Sequence, residues 1–364
     1  MSDDLRDDLV QRTCDLVRFA STADQPGQVA ACAAYIRDML DTIPGLFIEQ
    51  TEREGRPSIV ATLRDTRTPT LMLNGHFDVV AAAPELFEPR VQGGRIYGRG
   101  TQDMKGSVAV LLRLLKDLAA LSPRPDVGVQ FVGDEETGGE HGTGRLITEG
   151  WLCDFFVAAE PTAFRICYEQ KGSIWITLRL PGVSAHGSHP WEGENPIFSL
   201  GTGLQAVSHH FPIPRSSDEW RTTATPTVVS TPNKTFNRVP NEVMLSFDIR
   251  HIAEDMPDEI VKHICTCFPN AEIVKYGDNA PMITDPDAPG VRGLAAAVQQ
   301  VCGYEATLYR ESYGSDARFY THRSIPAVCF GPVGGGLHSD EEWVEIASLV
   351  DLYRIFRVAI EQKE

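Results

Sequence analysis

Positive charge is scarce in this chain. Its 33 lysines and arginines face 50 aspartates and glutamates, giving a formal net charge of -17 and a pI near 5.0, and no Lys/Arg cluster interrupts that balance. Such a surface repels phosphate backbones and anionic lipid, which argues against nucleic acid and membrane as partners. Long apolar runs are missing too, and none approaches the ~20 residues that a bilayer-spanning helix needs. The first forty residues open on Ser2-Asp3-Asp4, are acidic where a secretion signal is basic, and read as an amphipathic helix. The eight cysteines are scattered in mostly apolar surroundings with no CxxC pair. Cys265 and Cys267, two apart in an expected helix, face different ways, so buried reduced thiols and a cytoplasmic location are expected. Internal repeats and low-complexity tracts are absent. So are His-Glu-x-x-His, Gly-x-Ser-x-Gly and a Walker loop, and Gly98-Arg-Gly100 leads to Asp103 where a dinucleotide fingerprint needs glycine.

What is present is length and α/β order. With 364 residues and 42% hydrophobic content, the chain exceeds what one core organises and can fill two. Up to about Gln170, helical stretches alternate with short β runs at Ser58 to Leu63, Thr70 to Asn74, Val127 to Val132 and Phe155 to Ala159, with a helix from Met104 to about Leu121. That order predicts a mostly parallel sheet with helices on both faces. From Ser173 the pattern becomes β-α-β-β-α-β: strand Ile174 to Leu180, helix Pro196 to Phe211, strands Thr227 to Ser230 and Val243 to Ile249, helix Pro257 to Phe268 and strand Glu272 to Tyr276. This is the order of a smaller, ferredoxin-like α+β domain. After the breaker-rich stretch from Gly277 to Pro289, α/β order returns with helix Val291 to Val301, strand Ala327 to Phe330 and a last helix from Ile346 to about Gln362. The expected division is therefore a discontinuous first domain of residues 1–172 and 283–364, interrupted by an inserted domain of residues 173–282.

Chemistry gathers where apolar runs end. His76 and Asp78 follow the run Leu71 to Leu73. On extended chain they share a side, so His76 can bind a metal while Asp78 orients it. Asp103 stands in the glycine-rich segment Tyr97 to Gly106 just before a helix, where a metal ligand and an N-cap are both open to it. Glu135 and Glu136 follow the run Val127 to Val132. Adjacent carboxylates there repel unless cations or protons hold them, so one can bind metal while its neighbour moves a proton. Glu160 ends the next run as a hard oxygen donor, and His338 sits in a glycine-rich loop before the last helix. Ends of strands in open α/β sheets are where such sheets present their ligands. Mixed histidine and carboxylate donors suit zinc, with cobalt or manganese as substitutes.

The chain resembles the M20 metallopeptidases, the family of acetylornithine deacetylases, succinyl-diaminopimelate desuccinylases, aminoacylases and glutamate carboxypeptidases. The resemblance rests on Gly75-His-Phe-Asp-Val79, Gly98-Arg-Gly-Thr-Gln-Asp-Met-Lys-Gly106, Asp134-Glu-Glu136, Glu160-Pro161, Ser184-Ala-His186, Gly314-Ser-Asp316 and His338-Ser-Asp-Glu341, in family order over essentially the whole length. It implies two divalent ions per subunit bridged by Asp103, with His76 and Glu160 completing one site and Glu136 and His338 the other. Glu135 is then the general base and Asp78 steadies His76. The inserted domain is implied to be a lid and dimerisation domain of a homodimer, with His186 reaching the partner subunit's site to hold the oxyanion. Asn237, Arg250, Gly314 and Ser315 match substrate-holding positions, whereas His189 matches no family role.

Glu at position 160 points to the deacylases and carboxypeptidases rather than the aminopeptidases. Gly314-Ser-Asp-Ala-Arg-Phe319 is similar to the desuccinylases, but Gln170-Lys171 stands where those enzymes carry paired arginines. The leading expectation is a deacylase of N-acyl amino acids. A carboxypeptidase or dipeptidase of the same family acting on short peptides comes second, and a binding or regulatory protein on a dead scaffold third.

Overall fold

A computed structural model describes residues 2–216 and 218–361. The first stretch runs α1 (Ser2–Val17), α2 (Pro26–Asp41), β1 (Phe47–Arg53), β2 (Arg56–Thr62), β3 (Leu71–His76), β4 (Arg90–Gln92), β5 (Arg95–Tyr97), α3 (Gly106–Ala119), β6 (Val127–Val132), α4 (Thr143–Thr148), β7 (Phe155–Ala158) and β8 (Ile166–Gln170). There follow β9 (Gly172–Pro181), α5 (Pro196–His210), β10 (Thr223–Ser230), β11 (Glu242–His251), α6 (Pro257–Cys267) and β12 (Glu272–Asn279). The chain closes with β13 (Met282–Ile283), α7 (Pro289–Cys302), β14 (Leu308–Glu311), α8 (Ala317–Thr321), β15 (Ala327–Cys329), β16 (Gly334–Gly335), β17 (Trp343–Glu345) and α9 (Ile346–Glu361). The expected end of the last helix at Gln362 lies outside the described residues. Two compact units result: Met1–Glu169 with Met282–Arg310 and Ser315–Glu364, and Gln170–Pro281 with Glu311–Gly314. The short return of 311–314 to the second unit has no counterpart in the division expected from the sequence.

In the first unit the central sheet has the order β1-β2-β6-β3-β7-β15-β8-β13, with β14 beside β8. Its middle, β6-β3-β7-β15, is parallel, as α/β order predicts, and antiparallel pairs β1/β2, β2/β6 and β15/β8 flank it. Alternation sorts the side chains onto two faces. Ile59, Leu71, Leu73, Val129, Phe131 and Val157 pack with α1, α2, α3, α7 and α9, whereas Val60, Met72, Val132, Phe156 and Ala158 pack with α4 and α8. Register positions the chemistry. Pairing of His76 with Val132, and of Asn74 with Ala158, brings His76, the Glu135-Glu136 turn and Glu160 out at one edge.

Two expectations change here. The single amphipathic helix expected over the first forty residues is two helices, the second opened by Pro26 at its first turn. Between them the chain is held by distant partners: Ser21 Oγ donates to Phe77 O at 2.5 Å, and Val79 N donates to Ser21 O at 3.0 Å. The helix expected from Met104 begins at Gly106, because Asp103 and Met104 are non-helical.

In the second unit the strands form an antiparallel sheet, β10-β11-β9-β12, in the order a ferredoxin-like β-α-β-β-α-β chain takes. Leu200 and Val207 of α5 and Ile260 and Ile264 of α6 cover one face, against Ile174, Ile176, Leu178, Val243, Leu245 and Phe247. Gly203 lets α5 approach closely, since a Cβ there would lie 2.1 Å from the Phe268 ring. No helix among the described residues is long and apolar enough to cross a membrane.

Candidate metal centre

Asp103 is the hub of the site. Its backbone is extended (φ -122°, ψ 91°) and the peptide to Met104 is cis. No side-chain cap opens α3, so the capping alternative for Asp103 does not hold. Its two oxygens face two different histidines: Oδ1 lies 2.9 Å from His76 Nε2, and Oδ2 lies 3.3 Å from His338 Nε2. Donor atoms of His76, Asp103 and Glu160 all fall within 4.8 Å of one another, and so do those of Asp103, Glu136 and His338. One carboxylate is thus shared by two donor triads.

The supports are local. His76 Nδ1–H donates to the Asp78 carbonyl at 2.9 Å, which leaves Nε2 as the nitrogen open to a metal. The Asp78 carboxylate accepts the N–H of Glu135 on Oδ1 (3.2 Å) and of Glu136 on Oδ2 (3.0 Å). Asp78 therefore steadies the Glu135-Glu136 turn as well as His76. Glu160 is fastened from behind, where Ser107 Oγ donates to Ala159 O at 2.6 Å. His338 takes a left-handed backbone, φ +58°, which costs an L-residue roughly 1–2 kcal/mol.

Four carboxylates, Asp103, Glu135, Glu136 and Glu160, crowd two imidazoles. Burial opposes ionisation of Asp103, yet the hydrogen bonds from His338 and His76 hold its carboxyl well below the usual range. Burial pushes Glu135 up, as does the neighbouring Glu160; burial and Asp103 do the same to Glu160. Burial works against a charged His76, but its bonds to Asp103 and Asp78 raise it, and Asp103 and Glu136 raise His338 to about 10. Protons thus take the place that cations fill in a polycarboxylate site. Glu160 Oε1 is buried with no hydrogen-bond partner. A buried acceptor left open inside a triad of hard donors fits a divalent ion, and the residues present fit two.

The other candidates separate. Glu135 lies in the turn Glu135–Thr137 and belongs to neither triad. Ser315 is fully buried, with Oγ 3.0 Å from Cys329 Sγ. His186, Asn237, Arg250 and Gly314 belong to the second unit. There His186 and Asn237 share one loop pair, with Gly187 N donating to Asn237 O at 2.6 Å. Ser188 N donates to His186 Nδ1, which puts the ring proton on Nε2. Arg250 is held by Asp248 through two bonds of 2.7 and 3.0 Å. Arg318, in the desuccinylase-like run, is also engaged, donating to Ser315 O and Gly138 O.

Sequence reasoning passed over Glu342, Arg99, Thr143 and Asp316. Burial pushes Asp316 up to about 7, and Thr143 Oγ1 donates to its Oδ2 at 2.6 Å. Glu342 stands one residue beyond the His338-Ser-Asp-Glu341 run, and it is Glu342 that is buried while Glu341 is exposed.

Residues 72–362 match the model of peptidase family M20/M25/M40. A succinyl-diaminopimelate desuccinylase of Sulfurovum sp. (strain NBC37-1) is 27% identical over 366 residues, covering 95% of this chain and 96% of that protein. A tripeptidase of Staphylococcus aureus has the same fold, with a TM-score of 0.81 at 21% identity over 98% of both chains. A dinuclear metal binding peptidase of the M20 family from Bacillus subtilis superposes with a TM-score of 0.71 at 14% identity over 99% of both chains. With a mixed α/β unit that carries two carboxylate-bridged donor triads, and a family match over most of its length, the chain belongs to peptidase family M20/M25/M40 and is a hydrolase of that family.

Proposed function

We propose that the protein is a two-metal amidohydrolase that cleaves the amide bond of N-acyl amino acids, with Glu135 as general base. The observation that carries this reading is Asp103, one carboxylate shared by two triads, with Glu135 next to the ligand Glu136 yet outside both. His76, Asp103 and Glu160 would hold one ion, and Asp103, Glu136 and His338 the other. Zinc is the first choice for these donors, with cobalt or manganese in its place. When bound, two such ions polarise the scissile carbonyl and lower the pKa of a water toward about 7.

Glu135 takes a proton from the attacking water and returns it to the amine nitrogen as the C–N bond breaks, yielding a carboxylic acid and an amine. A base raised by burial and by Glu160 is well suited to hold that proton in transit. His186, with its proton on Nε2, is suited to donate to the oxygen that gains charge when the carbonyl is attacked. We assign it to the partner subunit's site in a homodimer formed through the inserted domain. Exposed apolar side chains on α5 and on the edge strand β10, among them Phe198 at 79% and Val228 at 55% exposure, support that domain as a contact surface. Asn237, Arg250 and Gly314 would hold the substrate, Arg250 by exchanging Asp248 for a substrate carboxylate. The eight cysteines, in no disulfide among the described residues, favour a cytoplasmic location.

The desuccinylase relative supports an acyl-amide substrate, and Lys171, lying over the Trp220 ring at 4.9 Å, offers one cation where the desuccinylases have two arginines. The test is a mass-spectrometric screen of zinc- or cobalt-loaded protein against acetylated and succinylated amino acids and dipeptides. Release of the free amino acid from an acylated substrate is expected. Cleavage of dipeptides alone would move the protein to the peptidases, and no cleavage by folded, metal-loaded protein would leave a binding protein.

A further inference from the structure

Glu342 joins two parts of the metal centre that are far apart in sequence. Its Oε1 accepts Gln102 N at 2.9 Å and Asp103 N at 3.2 Å, and the Gly100 N–H faces the same carboxylate. Its Oε2 receives Arg99 Nη1, and this ion pair is almost wholly buried. Gly98 N donates to the Glu342 backbone oxygen at 3.1 Å. The loop carrying Asp103 is thus hung on one buried side chain. Gly100 is required in that loop, at φ +83° and with space for a Cβ closed by Val79 at 2.6 Å.

Glu342 is also the fourth residue after His338. His338 occupies the turn of the hairpin formed by β16 and β17, Gly334 pairing with Val344 and Gly335 with Trp343. β17 in turn pairs with β5, Trp343 opposite Tyr97, which leads directly into Arg99. The hairpin that presents His338 and the loop that presents Asp103 therefore meet at Glu342 and Arg99. His338 is half exposed, and among the described residues its ion-pair contacts are to Asp103 and Glu136, so its place relative to Asp103 depends on that junction. His76 and Glu160 sit on strand ends and do not.

We propose that Glu342, paired with Arg99, is a positioning residue that registers the His338 hairpin on the Asp103 loop and thereby sets the affinity of the Asp103, Glu136 and His338 site for its ion. This rests on the two-ion reading above, and its test uses metal binding, so it is decided whether or not the substrate is an N-acyl amino acid.

The probe is zinc titrated into chelator-stripped full-length protein in competition with a chromophoric chelator. Wild type binds two equivalents if the two-ion reading holds; a single equivalent in wild type would refute that reading itself. Removing one member of the pair leaves a lone buried charge, so both are changed together. R99M/E342Q keeps an acceptor oxygen for the loop amides and is expected to bind both ions as wild type does. R99M/E342L removes it, and one of the two ions should lose about 10- to 100-fold in affinity while the other is retained. Wild-type binding of both ions by R99M/E342L, or equal weakening of both ions, overturns the proposal. Hydrogen exchange of the wild type decides the matter if neither variant folds. With metal stripped away, the Gln102 and Asp103 amides should stay protected by Glu342, and fast exchange there would mean that the metal, not Glu342, holds the loop.

Discussion

Replacing Asp78 by Asn tests how the site is held. The carboxylate takes two backbone N–H groups, those of Glu135 and Glu136, at 3.2 and 3.0 Å, and it is 2% exposed. Hydrogen bonds to a charged acceptor contribute about 1.5–3 kcal/mol each, so the pair contributes about 3–6 kcal/mol to ordering the turn. Asn keeps one neutral bond of about 1 kcal/mol and turns its NH2 toward the other N–H, a loss of about 2–5 kcal/mol. At about 1.4 kcal/mol per decade, local opening of the turn should rise roughly 30-fold to several-thousand-fold. The assay is residue-resolved hydrogen exchange, because Gly138 N and Gly139 N bond within this turn, to Glu135 O and Asp134 O. Their exchange should accelerate by that factor while amides of β6 stay slow. Exchange at Gly138 and Gly139 within twofold of wild type in D78N would refute the reasoning.

Chelation should abolish amide hydrolysis, and zinc, cobalt or manganese should restore it; full turnover by protein shown to be metal-free contradicts two-metal chemistry. Metal-free protein should show a pH-dependent thermal stability to which His338 contributes. Its folded value of about 10 stands above the unfolded value of about 6.5, so the stabilisation is complete below about pH 6.5 and is lost as the pH rises toward 10. A flat melting temperature across that window would remove the His338 contacts from the account. Zinc binding at pH 7 should release protons, since His76 and His338 are both raised in the metal-free site; calorimetry in buffers of different ionisation enthalpy reads the number, and zero contradicts it. Mixing the His186→Ala and Glu135→Gln proteins should restore roughly a quarter of wild-type activity, because half of randomly formed dimers are mixed and each carries one intact site. No recovery despite subunit exchange would place His186 within its own chain.

Legibility in the sequence followed the range of the forces involved. Helix α7 announces itself with Pro289 at its start and Gly303, at φ +78°, just past its end, and the runs of β3, β6 and β7 show where they stop. His76, Asp103, Glu136, Glu160 and His338 stood out as candidates because each closes such a run or stands in a glycine-rich turn. The edge strand β1 of the larger sheet was not legible. β1, with sequence Phe-Ile-Glu-Gln-Thr-Glu-Arg, pairs on one side only and carries the charge that edges tolerate. The break between α1 and α2 is stabilised by Phe77 and Val79, almost sixty residues away, and leaves only Pro26 as a local sign. Glu341 and Glu342 are chemically the same, and burial against Arg99 alone tells them apart.

The central claim is that Glu135 moves the proton while its neighbours hold the metal. Glu135→Gln preserves the size of the side chain and removes its capacity to accept a proton. Metal content and single-turnover rate measured on one zinc-loaded sample should give two equivalents per chain, as in wild type, and a rate lower by about 10²- to 10⁴-fold. Two bound ions with near-wild-type turnover would contradict the account, and so would a loss of metal equal to the loss of rate.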